Sequence, residues 1–523
     1  MKLTWWCGLG LGLLTACMPG AKAPEPLDPV RFLLINDVYV ADTLGDGSGG
    51  LARVATVRKR VAAQGPVLFV LAGDFLSPSL LSKYYGGRQM VEALNAADLD
   101  YATFGNHEFE LPRDTLIARI EASTFKWLST NCALAEGTPF PKVLPWDTVR
   151  MSGHLVGLFG LTVPGEYRSY VRCGDPDSAA KAATDTLTAL QADLIVGLTH
   201  QTVQADRDLL RRESRIDLIL GGHEHEAHDS VVSGRHVLKA DANSRSAQFV
   251  TLWGGKGEWR QAVGLVTIDS RLPADSATAG VAARWADSLR AKLGPERVIA
   301  TAEAPIDARD ALSRNRESPL GMLVTDAMRA GTGAEVALIN AGAMRLDDVI
   351  PAGPVSNYQL ESIFLFADET RVVTFPLSGA RLREVLEHSV SDPSLGKGAF
   401  LQVSGLSFTY DRARPSGARL VGEIRRGVHL PRDSAQSPPD TLRTPPPVGA
   451  IAPNDTVRVA MPAYPACEGG DGYRIPEAAE SCTGAGAAPR AADLLIRHLS
   501  DSLGGKVPSP AGGRIVRAGA PPG

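Results

Sequence analysis

The chain has 523 residues, with 54 Lys and Arg against 58 Asp and Glu, a formal charge of -4, and 44% hydrophobic residues. Such near-balance excludes the basic field that a nucleic-acid polymer would need. The apolar content excludes a disordered chain, and the length predicts more than one domain with a substantial core.

Residues 1–16 read as a secretory signal: Lys2 supplies the positive start, and the apolar stretch 3–14 is too short to span a bilayer. It ends in LTAC (14–17), which resembles the bacterial lipobox. Cys17 is therefore expected to carry lipid and anchor the protein to the membrane of the cell envelope, periplasmic or outer. A plain secretory signal with an incidental Cys is the competing reading. Residues 17–29, rich in Pro, form a tether. Of six Cys, Cys7 would leave with the signal and Cys17 would be lipidated, so Cys132, Cys173, Cys467 and Cys482 remain. An even number in an oxidising compartment predicts disulfides. The pairs Cys132–Cys173 and Cys467–Cys482 keep each bridge within one half of the chain. The lack of CxxC spacing argues against zinc at these residues.

Beyond the tether, apolar runs alternate with amphipathic stretches. VLFVLAGD (67–74), LVGLFGLT (155–162), DLIVGLTH (193–200) and DLILGGHEH (217–225) read as buried strands, as does the run into LLINDVYV (33–40). Residues 51–64 and 88–97 read as helices. The pattern is α/β, or α+β in layers. Residues 273–279 look like a linker into a helix over 280–293, with Val281, Trp285, Leu289 and Leu293 on one face and Gly294-Pro295 as its stop. A second domain starts near Ile299. Helices are expected there near 319–329 and 380–390, strands near 336–340 and 456–461, and an exposed Pro-rich insertion over 431–453. No internal repeat is seen.

Most strands of the first half end on a polar donor. Asp37, Asp74 (in AGD), Asn106 and His107 (in FGNHE), His200 (in LTH), and His223 and His225 (in GGHEH) follow apolar runs in that order, beside Gly73, Gly105, Gly221 and Gly222. Singly, a His after a strand is more often a surface residue; jointly, the set is hard to obtain by chance. Carboxylate, amide and imidazole donors without thiolate suit Mn, Zn or Fe.

This order resembles the signature of the calcineurin-like metallophosphoesterases. GGLARVATV and NHEFE look like their 5'-nucleotidase branch, whose C-terminal domain is similar to RNRESPLGMLVTDAM, ALINAGAMR, FLQVSG and GGDGY here. The resemblance implies a four-layer metallophosphoesterase β-sandwich domain flanked by helices (30–269). A linker with its helix (270–298) would join it to a smaller mixed α/β substrate-recognition domain (299–517). It implies two divalent metal ions, Mn, Zn or similar. Asp37, Asp74 and His225 would hold one and Asp74, Asn106, His200 and His223 the other. In-line attack by a hydroxide shared between the two would follow. His107 would act at the phosphoryl group, oriented by Glu110, where the family usually has Asp. Arg314, Asn340, Arg345, Phe366, Tyr464 and Asp471 would contact a nucleotide substrate, Phe366 stacking on the base and Asp471 accepting from the ribose. The resemblance places Tyr39 where most of the family has a His ligand. A neutral phenol is a poor ligand, with a pKa near 10. His154, His228, His236, His388, His429 and His498 read as structural or solvated. The implied reaction releases phosphate from nucleoside 5'-monophosphates outside the cytoplasm, with UDP-sugars or 2',3'-cyclic nucleotides as further substrates. A thiosulfohydrolase of the same fold and a non-catalytic nucleotide-binding lipoprotein are the alternatives. The oligomeric state is left open.

Overall fold

The computed structural model describes residues 29–165, 167–255, 257–346, 348–365, 370–391, 398–427, 449–508 and 512–519. The signal, Cys17, nearly all of the tether, Phe366, His429 and most of the Pro-rich stretch lie outside the described residues.

The first half is a sandwich of two mixed sheets. β1 (Val30–Ile35), β2 (Leu68–Ala72) and β3 (Tyr101–Thr103) run parallel. Lys126–Leu128 and Val143–Leu144 extend that sheet on one side. Antiparallel β8 (Ser246–Gly255) and β9 (Glu258–Thr267) extend it on the other. In the second sheet β4 (His154–Thr162), β5 (Leu194–His200), β6 (Leu218–Gly222) and β7 (Arg235–Lys239) are parallel. Antiparallel strands flank them at each edge.

Alternation along each strand builds the layers. Phe32, Leu34, Val70, Leu158, Val196 and Leu220 fill the space between the sheets. Leu33, Ile35, Phe69 and Leu71 face outward and pack under α1 (Leu51–Ala62) and α2 (Arg88–Ala96). Phe159, Ile195 and Ile219 do the same under α3 (Pro176–Ala189) and α4 (Val203–Arg212). Each fully buried Leu, Ile or Phe contributes roughly 1.5–3 kcal/mol. Parallel pairing sends the carboxyl ends of β1 to β3 and of β4 to β6 toward one edge of the sandwich. His200 Nδ1 donates to the carbonyl of Ala72 at 2.8 Å and joins those ends across the sheets.

α5 (Ser276–Leu293) follows. It begins inside the linker expected over 273–279, four residues before the expected helix start at 280, because Asp275 accepts from the backbone N–H of Thr278 as an N-cap. The second half is mixed α/β. One four-stranded sheet sets Val336–Asn340 between Leu401–Ser404 and Thr456–Pro462, with Val372–Ser378 at its edge. A second carries Leu406–Tyr410, Leu420–Arg426 and Ile515–Arg517. Gly449–Ala450 pairs with this second sheet, so the end of the expected insertion is a strand, tied by backbone bonds to Arg425 and Arg426. Disulfides join Cys132 to Cys173 and Cys467 to Cys482. Among the described residues no helix is long and apolar enough to cross a membrane.

Candidate active site

The donors emerge where strands stop. Asp37 and Asp74 lie just past β1 and β2 with φ of 53° and 57°, turning their carboxylates into the edge of the sandwich. Gly105 must be glycine: a Cβ there would lie 2.0 Å from Asp74 Oδ1. At Gly73, φ is 77° and a Cβ would lie 2.6 Å from His200 Nδ1.

Asp37, Asp74 and His200 are buried, and one donor atom from each lies within 4.8 Å of the others. His200 Nε2 is 3.0 Å from Asp74 Oδ2 and 3.9 Å from Asp37 Oδ1. His225 Nε2 is 3.4 Å from Asp37 Oδ1. The His223 backbone N–H donates to Asp37 Oδ2, and the His223 ring lies 5.1 Å from that of His200. The buried Oδ1 atoms of Asp37 and Asn106 have no hydrogen-bond partner among the described residues. An unsatisfied carboxylate oxygen is costly to bury, and a cation is the partner this donor set fits. His200 is oriented as a ligand: its Nδ1 proton is committed to Ala72, so Nε2, turned toward Asp74 and Asp37, is the nitrogen that would present a lone pair to a cation.

Without cations the charges lean on one another. Burial disfavours the His200 imidazolium, yet the Asp74 and Asp37 carboxylates push its pKa up to about 9. Burial opposes ionisation of Asp37 too, but His200 and His225 hold its carboxyl well below the usual range. Burial, and then the charge on His200, bring His223 down to about 4.

His107 follows Asn106 on a one-turn helix, His107–Glu110. Its backbone N–H donates to Asp74 Oδ1 at 2.8 Å, and its Nδ1 lies 2.7 Å from Glu110 Oε1. Ser77 Oγ donates to the other Glu110 oxygen at 3.0 Å. Arg345, from the second domain, places Nη2 2.5 Å from Glu110 Oε1 and 3.0 Å from His107 Nδ1. Burial alone would raise the Glu110 carboxyl, but His107 and Arg345 bring it down to about 2. The longer side chain thus reaches both partners.

Tyr39 also faces this center. Its hydroxyl is 3.0 Å from His225 Nε2 and 3.5 Å from Asp74 Oδ2. In the second domain Asn340 Nδ2 donates to Asp471 Oδ2 at 2.7 Å, and His388 Nε2 donates to the Asp471 carbonyl at 2.9 Å. Arg314, paired with Asp310, lines a cavity of about 170 Å³ together with Asp471, His388, Phe400 and Arg412. Tyr464, 37% exposed, packs its ring over Gly470.

Sequence reasoning passed over Glu108. It is wholly buried and accepts from the backbone N–H groups of Asp74, Phe75, Leu76 and Gly105 at 2.7–2.9 Å, clamping both donor loops. Its place inside GNHE was the available signal. Burial, then the Asp74 charge, raise its carboxyl to about 7. His388, read as structural or solvated, is structural: its Nε2 donates to the Asp471 backbone carbonyl.

Residues 30–227 match the calcineurin-like phosphoesterase family, and residues 298–478 match the 5'-nucleotidase C-terminal domain. Snake venom 5'-nucleotidase of Naja atra is 24% identical over 528 residues, spanning 90% of this chain and 93% of that protein. The crystal structure of a 5'-nucleotidase precursor from Thermus thermophilus is 25% identical with a TM-score of 0.76, over 94% of this chain and 100% of that one. The Thermus thermophilus sulfate thiohydrolase SoxB has a TM-score of 0.71 at 18% identity, over 96% of this chain and 98% of that one, a likeness of fold.

Proposed function

The chain belongs to the family that joins a calcineurin-like phosphoesterase domain to a 5'-nucleotidase C-terminal domain, and on that premise we propose a dimetal phosphohydrolase that releases phosphate from nucleoside 5'-monophosphates outside the cytoplasm. A metal-dependent phosphoric monoester hydrolase is what the family establishes; the nucleotide and the compartment are our reading. The observation that carries it is the cluster of Asp37, Asp74 and His200 beside the His107–Glu110–Arg345 group, which comes from both domains.

Asp37, Asp74 and His225 would hold one divalent ion, and Asp74, Asn106, His200 and His223 the other. When bound, such ions lower the pKa of water and neutralise charge on the phosphoryl group. His107 donates a proton from Nε2 to the leaving ribose oxygen, while Glu110 keeps the Nδ1 proton in place. Arg345 and Arg314 meet the phosphate and nucleoside, and Asn340 orients Asp471 for the ribose hydroxyls. Phe366 and Tyr464 flank the base. Tyr39 stays a protonated phenol.

Residues 30–269, 270–298 and 299–517 are the functional units of this reading. The two disulfides support an oxidising compartment, and the lipobox-like LTAC supports an anchor at Cys17. A mass spectrum of the mature N-terminus tests that anchor. The fold likeness to SoxB keeps thiosulfohydrolase chemistry as a second reading. EDTA-treated protein supplied with Mn, offered AMP, UDP-glucose, 2',3'-cyclic AMP and a thiosulfonate, separates the two. Metal-restored protein that releases no phosphate from any nucleotide would end the first reading.

A further inference from the structure

Lys239, the last residue of β7, is wholly buried with Asp206. Its ammonium donates to the Gln201 carbonyl at 2.5 Å and the Gly222 carbonyl at 2.6 Å. It also lies 3.1 Å from Asp206 Oδ2 and pairs with Glu224 Oε2. These partners are not scattered. Gln201 follows His200, Gly222 precedes His223, and Glu224 stands between His223 and His225.

The two carboxylates extend the grip. Asp206 sits in the first turn of α4 and accepts from Gln201 Nε2 at 3.3 Å, while Glu224 accepts from the backbone N–H of Val203 at the start of that helix. The space is closed: a Cβ on Gly221 would lie 3.0 Å from Lys239 Cε and 3.1 Å from Asp206 Oδ2. We infer that Lys239 is a positioning residue that fixes the loops carrying His200, His223 and His225, and so sets the affinity of the ion that His200 and His223 would hold. A buried ion pair of this kind adds little net stability over an apolar pair; what these contacts supply is fixed geometry at the two strand ends. An ammonium gripping two carbonyls at successive strand ends orients both imidazoles without touching either. The inference rests on the dimetal reading.

The test is Mn(II) titration of EDTA-treated full-length protein, followed by electron paramagnetic resonance, with folding checked by circular dichroism. Wild type should bind two ions. Lys239→Met should stay folded and weaken the ion held by His200 and His223 by about 10–100-fold, the range for residues that support ligands from behind. Lys239→Met combined with Asp206→Asn removes one stranded carboxylate. That variant should regain melting temperature without regaining Mn affinity, and it carries the comparison alone if the single variant does not fold. Unchanged affinity in folded Lys239→Met overturns the inference. So does a paired variant that recovers affinity and melting temperature together, since Lys239 would then only balance charge. Wild type binding fewer than two ions would instead remove the dimetal reading itself.

Discussion

Glu110→Gln keeps the shape of the side chain and removes its charge from between His107 and Arg345. Glu110 Oε1 is 2.7 Å from His107 Nδ1 and 2.5 Å from Arg345 Nη2, both charge-assisted contacts. The amide oxygen can still accept from Arg345, but the His107 contact loses its ionic component. One hydrogen bond to a charged partner is worth about 1.5–3 kcal/mol, which corresponds to a loss of about 10- to 150-fold in kcat/KM. The loss should depend on substrate and on pH. Burial lowers the His107 pKa, but Glu110 and Asp74 outweigh it and hold the imidazolium above its ordinary range. The proton is therefore present below the raised pKa and lost as pH rises through it. Without the Glu110 charge that pKa falls, so the deficit on AMP should widen as pH increases. A leaving group that needs no proton should be spared. Profiles of kcat/KM against pH for AMP and p-nitrophenyl phosphate read both effects. Equal losses on the two substrates, independent of pH, would refute the role assigned to His107 and Glu110.

Asp74→Asn should abolish turnover and leave at most one tightly held ion, because its oxygens face both donor groups; metal analysis after dialysis checks this, and two retained ions would contradict it. Tyr39→Phe removes the hydroxyl contacts on His225 and Asp74 and should change Mn occupancy little, whereas Tyr39→His should tighten the site; one ion lost from Tyr39→Phe would make the phenol a ligand. The disulfides close separations of 41 and 15 residues, so loss of Cys132–Cys173 should cost about 4 kcal/mol and loss of Cys467–Cys482 about 3 kcal/mol in chain-entropy terms. Denaturant unfolding of the paired Cys→Ala variants measures each, and unchanged midpoints would deny both.

The donors were legible because each follows an apolar run. A strand that must stop at a sheet edge announces its last polar residue, and Asp37, Asp74, His200 and His223 are of this kind. The supporting charges were not legible. Asp206 and Lys239 look in sequence like any surface acid or base, and only the folded contacts show them buried. The start of α5 was missed because Pro273 read as a break while Asp275, two residues on, was the cap. The second half yielded less because many of its strands span only two to five residues, as at Gly449–Ala450 and Leu401–Ser404, too short for alternation to stand out. Arg345 illustrates the limit: its place in the motif was readable, its reach to Glu110 was not.

Asp37, Asp74 and Asn106 come from one sheet, and His200, His223 and His225 from the other. A cation held between them would be a rivet across a seam that apolar contact and cross-sheet hydrogen bonds, among them His200–Ala72, His223–Asp37 and Thr162–Phe104, also close. Chelation would then do more than stop chemistry. It would leave the buried Asp37 and Asp74 carboxylates to be offset by the His200 imidazolium in place of cations, and let the seam breathe there first. Amide hydrogen exchange in EDTA should quicken at the ends of β1, β2, β5 and β6 while the opposite edge stays protected. Exchange that rose evenly across both sheets would mean the ions hold no mechanical part in the sandwich.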